Sequence, residues 1–575
     1  MAGGPPGSIG GVPPVADRYR HLPPPDRPMD VRDILIDSVR DALADLGVEP
    51  PPSTVQLERP ANPEHGDWST NVALASAKAA GRNPRELGMA LADALNAAPP
   101  PHVTAVEVAG PGFVNFRLSD SWLHDVLIDV VAAGTDSWAR HDVGAGETVM
   151  VEFVSANPTG PLHAGHGRGA CFGDSVARLY ERCGHEVTRE FYINDRGTQM
   201  QLYAGSLAAR AAGTDVPEGG YRGRYIEDWA ADMPTDADPF EWGYQRALAS
   251  QRAVLEALDI HFDSWFSERS MIASGAIDVT MADLRDADAV YEADGAVWLR
   301  SSDHGDDKDR VLVKSDGEFT YLMPDVAYHR DKFSRADRLV NVWGADHHGY
   351  VARMHAAMRA LGHEASELEV AITQMVSLQR GGEEVRLSKR TGEMVELAEV
   401  VDEVGADAVR FTYLLFSVDS QQTFDLDLVA SQVNENPVFY VQYAHARIHS
   451  IVRRAAEAGL VREPLDRVDL SHLCHDRELA VLRALHELPD TVLRACRERA
   501  PHQVTTWVRD LASSFHGFYH DCRVLGDDVD EGTTQARLWF VEAARVGLVV
   551  ALDLLGVGAP DEMWRDDVPA GEMEA

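Results

Sequence analysis

The chain has 575 residues, 45% of them hydrophobic and 25% charged, which supplies cores for several globular domains and excludes a fibrous or wholly disordered protein. No run of about 18 apolar residues occurs, so a helical membrane span is not expected. The formal charge of −39 excludes a uniformly basic surface, so any nucleic-acid contact needs arginines gathered on one face.

Residues 1–29 are rich in glycine and proline and lack the apolar centre of a signal peptide; they read as a disordered tail. The five cysteines are widely scattered, as expected of reduced thiols in a cytoplasm. Lysine occurs at five positions only (Lys78, Lys308, Lys314, Lys332, Lys389); the remaining basic residues are arginine.

Asp30 to Leu46 places Val31, Ile34, Leu35, Val39, Leu43 and Leu46 in one stripe and predicts an amphipathic helix. Helices over 71–79 and 84–95 and strands over 103–108 and 113–116 complete a small α+β domain, 30–120. Within it, Glu64 to Asn71 reads as a surface loop. A linking helix over 121–133 leads to an α/β core, 140–400.

That core opens with a strand, Val149 to Val154, with an acid inside it at Glu152. The turn Ser155-Ala156-Asn157-Pro158-Thr159-Gly160-Pro161 follows, then a helix with Cys171, Phe172, Val176, Leu179 and Tyr180 on its apolar side. Strand, glycine-rich turn and helix is how a doubly wound sheet presents a phosphate site. At the helix start stands His163-Ala164-Gly165-His166. Imidazole N–H groups there can bond phosphate oxygens, and Gly165 leaves room for a flat base. Two other readings stand beside this one: half of a metal site, or two surface histidines. Two ligands are few for a metal, and the chain has no Cys-x-x-Cys or His-Glu-x-x-His.

A second strand over 186–193 and a helix from Thr198 follow, then an acidic, irregular inserted segment, 211–307, with helical patches near Ala247 to Leu258. Strands are expected over 296–299 and 311–313. Tyr321 precedes Pro324, which suits the first position of a helix, with Asp325 in its first turn. A strand over 339–342 runs into Trp343-Gly344-Ala345-Asp346-His347-His348-Gly349, a site edge at the carboxyl end of a sheet. A helix over 351–361 and a strand over 368–376 close this part. The loop Arg386-Leu387-Ser388-Lys389-Arg390 sets three cations in five positions beside glycines. It reads as a mobile loop that closes on a polyphosphate, or as an exposed basic turn. A connecting helical segment, 401–430, precedes an α-bundle, 431–575. Its arginines, Arg447, Arg453, Arg454, Arg494, Arg497, Arg499 and Arg509, are candidates for a local basic surface that the net charge hides.

His163-Ala164-Gly165-His166 and Arg386-Leu387-Ser388-Lys389-Arg390, ahead of an α-bundle, resemble the two signatures of class I aminoacyl-tRNA synthetases. Longer stretches resemble the arginyl-tRNA synthetase family over nearly the whole chain. They are Glu152 to Pro161, Tyr192-Ile193-Asn194-Asp195, Trp343 to Gly349, Asn436 to Arg447, Val106 to Phe113 and Phe518 to Leu525. The resemblance implies an α/β fold: a Rossmann-type doubly wound parallel sheet as catalytic core, an N-terminal tRNA-binding α+β domain and a C-terminal all-α anticodon-binding bundle. It implies an arginine–tRNA ligase, usually a monomer, that uses ATP with Mg²⁺ to form arginyl-adenylate and passes arginine to the terminal adenosine of tRNA-Arg. It also implies residue roles. His163, His166, Lys389 and Arg386 would be catalytic, with Gly165 and Ser388 joining them around ATP. Glu152, Ser155, Asn157, Tyr321, Asp325, Asp346 and His347 would surround arginine, and Tyr443 and Arg447 would meet tRNA. Carboxylates at Glu152 and Asp325 suit a planar guanidinium. On their own residues they read equally as an edge-strand acid and a helix-start acid. The second signature departs from the family at Arg386, usually Lys, and at Arg390, usually Ser. Arg386 keeps the charge but not the shape of an ammonium.

Overall fold

The apolar stripe at the start folds as the helix Val31–Asp45, with Leu35, Val39 and Leu43 fully buried. Asp30 caps it by accepting from the Arg32 N–H at 2.9 Å. Asn83 caps the helix Pro84–Ala97 in the same way, with Pro84 pre-set at its first turn. Each such cap contributes about 1 kcal/mol. Both helices pack on an antiparallel sheet of β1 (Trp68–Thr70), β2 (Val103–Ala109) and β3 (Phe113–Leu118), in the order β1-β3-β2. The stretch expected to be a loop, 64–71, therefore contains β1 instead. Trp68 and Thr70 are buried while Ser69 bonds Asn115 of β3, an alternation too short to register as a strand in the sequence.

The computed structural model describes residues 30–48, 54–60, 62–385 and 395–563. They divide into two units. One holds the sequence up to Gly134 with 463–482 and 531–540; the other holds 135–462, 483–530 and the chain from 541. The division at Gly134 coincides with a break inside Ser121–Ser137, where Gly134 adopts φ 60°.

The second unit is built on a five-stranded parallel sheet. Its strands are β4 (Thr148–Glu152), β5 (Glu186–Ile193), β6 (Ser264–Ser267), β10 (Arg338–Gly344) and β11 (Leu368–Thr373), in the order β11-β10-β4-β5-β6. Between β6 and β10 lies a small antiparallel sheet of β7 (Val290–Ala293), β8 (Ala296–Leu299) and β9 (Arg310–Val313). After β11 come β12 (Val376–Arg380), β13 (Glu383–Val385) and β14 (Gln422–Asp425), paired β13-β12-β14. The core strands are short apolar runs because helices cover both faces of a parallel sheet. From β4 the chain winds outward through β5 to β6, then returns to β4's other side with β10 and β11. The winding reverses between β4 and β10, and a crevice forms at the carboxyl ends of strands at such a point. Glu152 ends β4 there and Gly344 ends β10.

The segment 211–307 is helical near Ala247 to Leu258 as expected and is more ordered elsewhere than its irregular pattern suggests. It supplies β6, the edge strand of the core sheet, and the helices Arg224–Asp232, Pro239–Ala257, Glu268–Ala273 and Ala276–Asp286. Most of its acidic residues are exposed and mask the apolar periodicity, while Glu268 is buried. The strand expected over 368–376 is two strands, β11 and β12, parted where the Gln374 N–H turns to the Val418 carbonyl. Four long helices close the chain: Pro437–Glu457, Asp476–Glu498, His502–Asp521 and Glu531–Leu555.

Candidate active site

Strand β4 turns into the helix Ala164–Arg182 through a strained corner. Val154 has φ 67° and Ser155 φ 42°, conformations that cost L-residues about 1–3 kcal/mol each and gather at functional sites. The fully buried Gln251 holds the turn from beneath, donating to the carbonyls of Asn157 (3.0 Å) and Gly160 (2.9 Å). Asn157 itself donates to Gln199 at 2.6 Å.

His163 is the N-cap of the helix. Its Nδ1 accepts from the Gly165 N–H at 3.1 Å, and Nδ1 of His166 accepts from the His163 N–H at 3.2 Å. The rings lie 3.7 Å apart. Because both rings accept through Nδ1, each neutral ring carries its proton on Nε2, the nitrogen a phosphate oxygen can accept from. A Cβ on Gly165 would come within 2.9 Å of the His163 ring, so the glycine makes room for this cap.

A cavity of about 1040 Å³ opens beside the pair, lined among others by Asn157, His163, His166, Tyr225 and Glu396. The loop Arg386–Gly392, with Arg386, Ser388 and Lys389, lies outside the described residues. Its two flanks do not. Val385 and Val395 line the same cavity, the Val395 carbonyl accepts from Ala164 N–H at 3.0 Å, and Leu397 N–H donates to Leu162 at 2.8 Å. Both ends of the second signature are thus held beside the first.

The acids form a second cluster. Glu152 is buried, and it accepts from Ser155 Oγ (2.9 Å) and from Lys332 Nζ (2.6 Å). Lys332 is fully buried, donates also to Asn341 Oδ1 at 2.7 Å, and lies 4.5 Å from the centre of the Tyr328 ring. The bonds continue in one consistent order. Asn341 Nδ2 donates to His329 Nε2 (2.7 Å), and His329 Nδ1–H donates to the Asp325 carbonyl (2.8 Å). Burial and the Lys332 charge hold His329 well below the ordinary histidine range, so it is the neutral ring this chain of bonds requires.

The Asp325 carboxylate accepts from Tyr350 Oη at 2.6 Å. Burial pushes this carboxyl up to about 7. The Tyr350 hydroxyl and Lys332 pull against that rise, while the Glu268 and Glu152 carboxylates add to it. Glu268, at the end of β6, is raised by burial too, although Arg196 at 3.7 Å and a hydrogen bond from Tyr192 oppose the rise. Three acids therefore converge at the carboxyl ends of β4 and β6 and the start of the helix Leu322–Phe333.

The expected residues divide accordingly. Glu152, Ser155 and Asp325 share the acid cluster, and Asn157, His163 and His166 share the cavity. Tyr321 is the N-cap of the helix and 89% exposed, with Pro324 in third rather than first position. Asp346 and His347 are exposed in a short 3₁₀ turn; its end residue, Tyr350, is the one that reaches Asp325. Lys332, Glu268 and Tyr350 were not singled out in the sequence. Lys332 had a usable signal, since lysine is rare in a chain that otherwise uses arginine.

On the helix Pro437–Glu457, the Arg447 guanidinium lies between two rings, 4.5 Å from Tyr443 and 4.6 Å from Tyr519. Arg447 donates to His516 Nδ1 at 2.7 Å, and His516 Nε2–H donates to the Tyr440 carbonyl. Elsewhere the expected basic surface is partly neutralised: Arg453 pairs with Glu562 and Arg499 with Glu369.

Three family models match in succession: "Arginyl tRNA synthetase N terminal domain" over 33–118, "tRNA synthetases class I (R), catalytic domain" over 131–215 and 248–451, and "DALR anticodon binding domain" over 441–563. The arginine–tRNA ligase of Geobacillus thermodenitrificans is 45% identical over 557 residues, 93% of this chain and 99% of that protein. That of Bacillus subtilis is 42% identical over 555 residues, again 93% and 99%. The solved arginyl-tRNA synthetase of Thermus thermophilus, 24% identical, shares the fold with a TM-score of 0.71 over 93% of this chain and all of that one. With a parallel Rossmann-type core, the signature histidines at its switch point and relatives matching nearly end to end, the chain belongs to the arginyl-tRNA synthetase family.

Proposed function

We propose that the chain activates L-arginine with ATP, presented with Mg²⁺, and transfers it to the terminal adenosine of tRNA-Arg, releasing pyrophosphate and then AMP. The observation that carries the reading is the uncompensated acid cluster. Glu152, Glu268 and Asp325 converge with fewer cations than acids, and Asp325 is raised to about 7 by burial, with the Glu268 and Glu152 charges adding to the rise. A guanidinium supplies the missing charge as a planar fork that several carboxylates can share. Ser155 and Asn157, on the turn that follows, would meet the amino acid's α-amino and carboxylate end.

The chemistry follows from the neighbouring cavity. One oxygen of the arginine carboxylate attacks the α-phosphorus of ATP, and the bond to the bridging oxygen of pyrophosphate breaks. Positioning and charge neutralisation supply most of the acceleration. The Nε2–H groups of His163 and His166 would hold phosphate oxygens, while Lys389 and Arg386 would meet the charge that builds on the phosphoryl group. The 2′-hydroxyl of the terminal adenosine then attacks the activated carbonyl, and AMP leaves. Arg447 between Tyr443 and Tyr519 offers a flat cationic surface on which an unpaired base can stack, the usual mode of reading single-stranded RNA. A segment 30–120 that steadies tRNA, a core over 140–400 and a helical domain from 431 are the division of labour in this reading. The family's usual state makes a monomer the expectation, and the five free cysteines fit a reducing cytoplasm.

The test is pyrophosphate exchange and tRNA charging with each amino acid, with and without tRNA-Arg. Arginine alone is expected to support both. Charging with another amino acid, or none with arginine and tRNA together, would overturn the reading.

A further inference from the structure

A second, unrelated cluster lies on the helix Pro437–Glu457. His445 and His449 are one helical turn apart, so their rings share a face. Asp561, from the tail that follows the last long helix, completes the group. One ligand atom from each of the three lies within 4.8 Å of the others. Among the described residues this is the group of histidines and acids with metal-ligand spacing.

The protonation of His445 is decided by its neighbours. The ring is 2% exposed, and Nδ1 lies 2.9 Å from the Pro560 carbonyl. A carbonyl only accepts, so Nδ1 carries the proton and Nε2 is a bare lone pair. Nε2 is buried and has no hydrogen-bond partner. An unsatisfied buried acceptor of this kind costs about 1–3 kcal/mol. Metal-ligating histidines show the same arrangement, one nitrogen donating to a backbone carbonyl and the other aimed at the ion. His449 Nε2 meets Asp561 Oδ1 at 3.3 Å, close to the edge of about 3.4 Å that a tetrahedron with bonds of about 2.1 Å requires.

We propose that His445, His449 and Asp561 form a divalent transition-metal site of the Zn²⁺ or Co²⁺ class, with solvent as fourth ligand. Two imidazoles and a carboxylate suit zinc-like ions and not Mg²⁺ or Ca²⁺, which prefer all-oxygen shells. The cations nearby do not forbid it. Arg545 is paired with Glu542 at 2.8 Å and Arg453 with Glu562 at 2.6 Å, while Arg462 lies 3.7 Å from Glu542. The Asp561 side chain is 71% exposed, which leaves the fourth position open to solvent. The ion would fasten the tail at Pro560–Asp561 to the helix that carries Tyr443 and Arg447.

The test uses the full-length chain, stripped with a chelator and titrated with Co²⁺, without arginine, ATP or tRNA, so its outcome is independent of the ligase reading. One equivalent is expected to bind with the intense visible absorption of tetrahedral Co²⁺, and Zn²⁺ is expected to displace it. Zn²⁺ should also raise the melting temperature. His449→Ala and Asp561→Asn, both at solvent-accessible positions, should each weaken uptake at least tenfold and abolish the Zn²⁺-dependent rise. A double His163→Gln, His166→Gln variant should keep both. No saturable uptake by the wild type, uptake unchanged in His449→Ala and Asp561→Asn, or uptake lost with the signature histidines would each overturn the proposal.

Discussion

Replacing Asp325 by Asn separates the role proposed for it toward arginine from what it costs the fold. Its carboxyl rises from the ordinary 3.8 to about 7, chiefly through burial and the Glu268 and Glu152 charges. Fully expressed, that difference is about 4 kcal/mol; partial solvent contact leaves roughly 2–4 kcal/mol. The sign is set by linkage. A carboxyl raised in the folded state leaves stability untouched below 3.8, destabilises progressively between 3.8 and about 7, and does so in full above. Asp325→Asn keeps an acceptor for Tyr350 and removes the charge, so the variant should melt higher than the wild type near about pH 8, with the gap closing toward about pH 4. Arginine binding should move the other way. Losing one charged partner of a desolvated guanidinium costs about 2–5 kcal/mol, at least a 30-fold rise in arginine KM with ATP affinity little changed. In the wild type, arginine affinity should fall as pH drops below about 7 and Asp325 takes up its proton. Thermal melts across pH and pyrophosphate exchange in the presence of tRNA measure the two effects. A variant with normal arginine KM, or one that melts lower than wild type at about pH 8, would refute the reasoning.

Lys332→Met strands Glu152 as a buried unpaired acid and should cost about 3–5 kcal/mol in urea unfolding; a double Lys332→Met, Glu152→Gln variant should recover part of this loss. Lys389→Ala should lower the rate of adenylate formation about 10²- to 10³-fold in single-turnover assays, with arginine binding preserved. Arg447→Ala removes the cation between Tyr443 and Tyr519 and should raise the KM for tRNA about tenfold while arginine KM stays constant. The wild-type affinity for tRNA should fall with salt, and more steeply than that of Arg447→Ala.

The parts of this molecule that repeat locally were legible in the sequence. Strand β5 occupies Glu186–Ile193 as expected, because the β-branched and aromatic residues Val187, Thr188, Phe191, Tyr192 and Ile193 lie between a glycine turn and an Asn-Asp-Arg-Gly turn. The long C-terminal helices declare themselves through many turns of 3.6-residue periodicity. Strand β6 did not, since four residues inside an acidic, helix-rich segment carry too few repeats to show a period, and Glu268 was lost with it. The signature histidines were found by their pattern, while the His163 ring packed over Gly165 was not visible in it. Lys332 and Tyr350 lie seven and 25 residues beyond Asp325 in a chain that must fold before they converge; sequence spacing alone does not encode that meeting.

The internal ammonium of Lys332 sets a condition of electroneutrality on what the pocket accepts. Glu152 already has its counter-ion, and Arg196 offsets Glu268 from 3.7 Å. Of the three acids, Asp325 is left without a dedicated cation, and it is the one whose proton is held to about 7. The vacancy therefore has the size of one positive charge. Citrulline, which matches arginine in shape but is neutral, leaves that vacancy unfilled, and a dication overfills it. Discrimination among amino acids of similar length is, on this view, a matter of valence before it is a matter of fit.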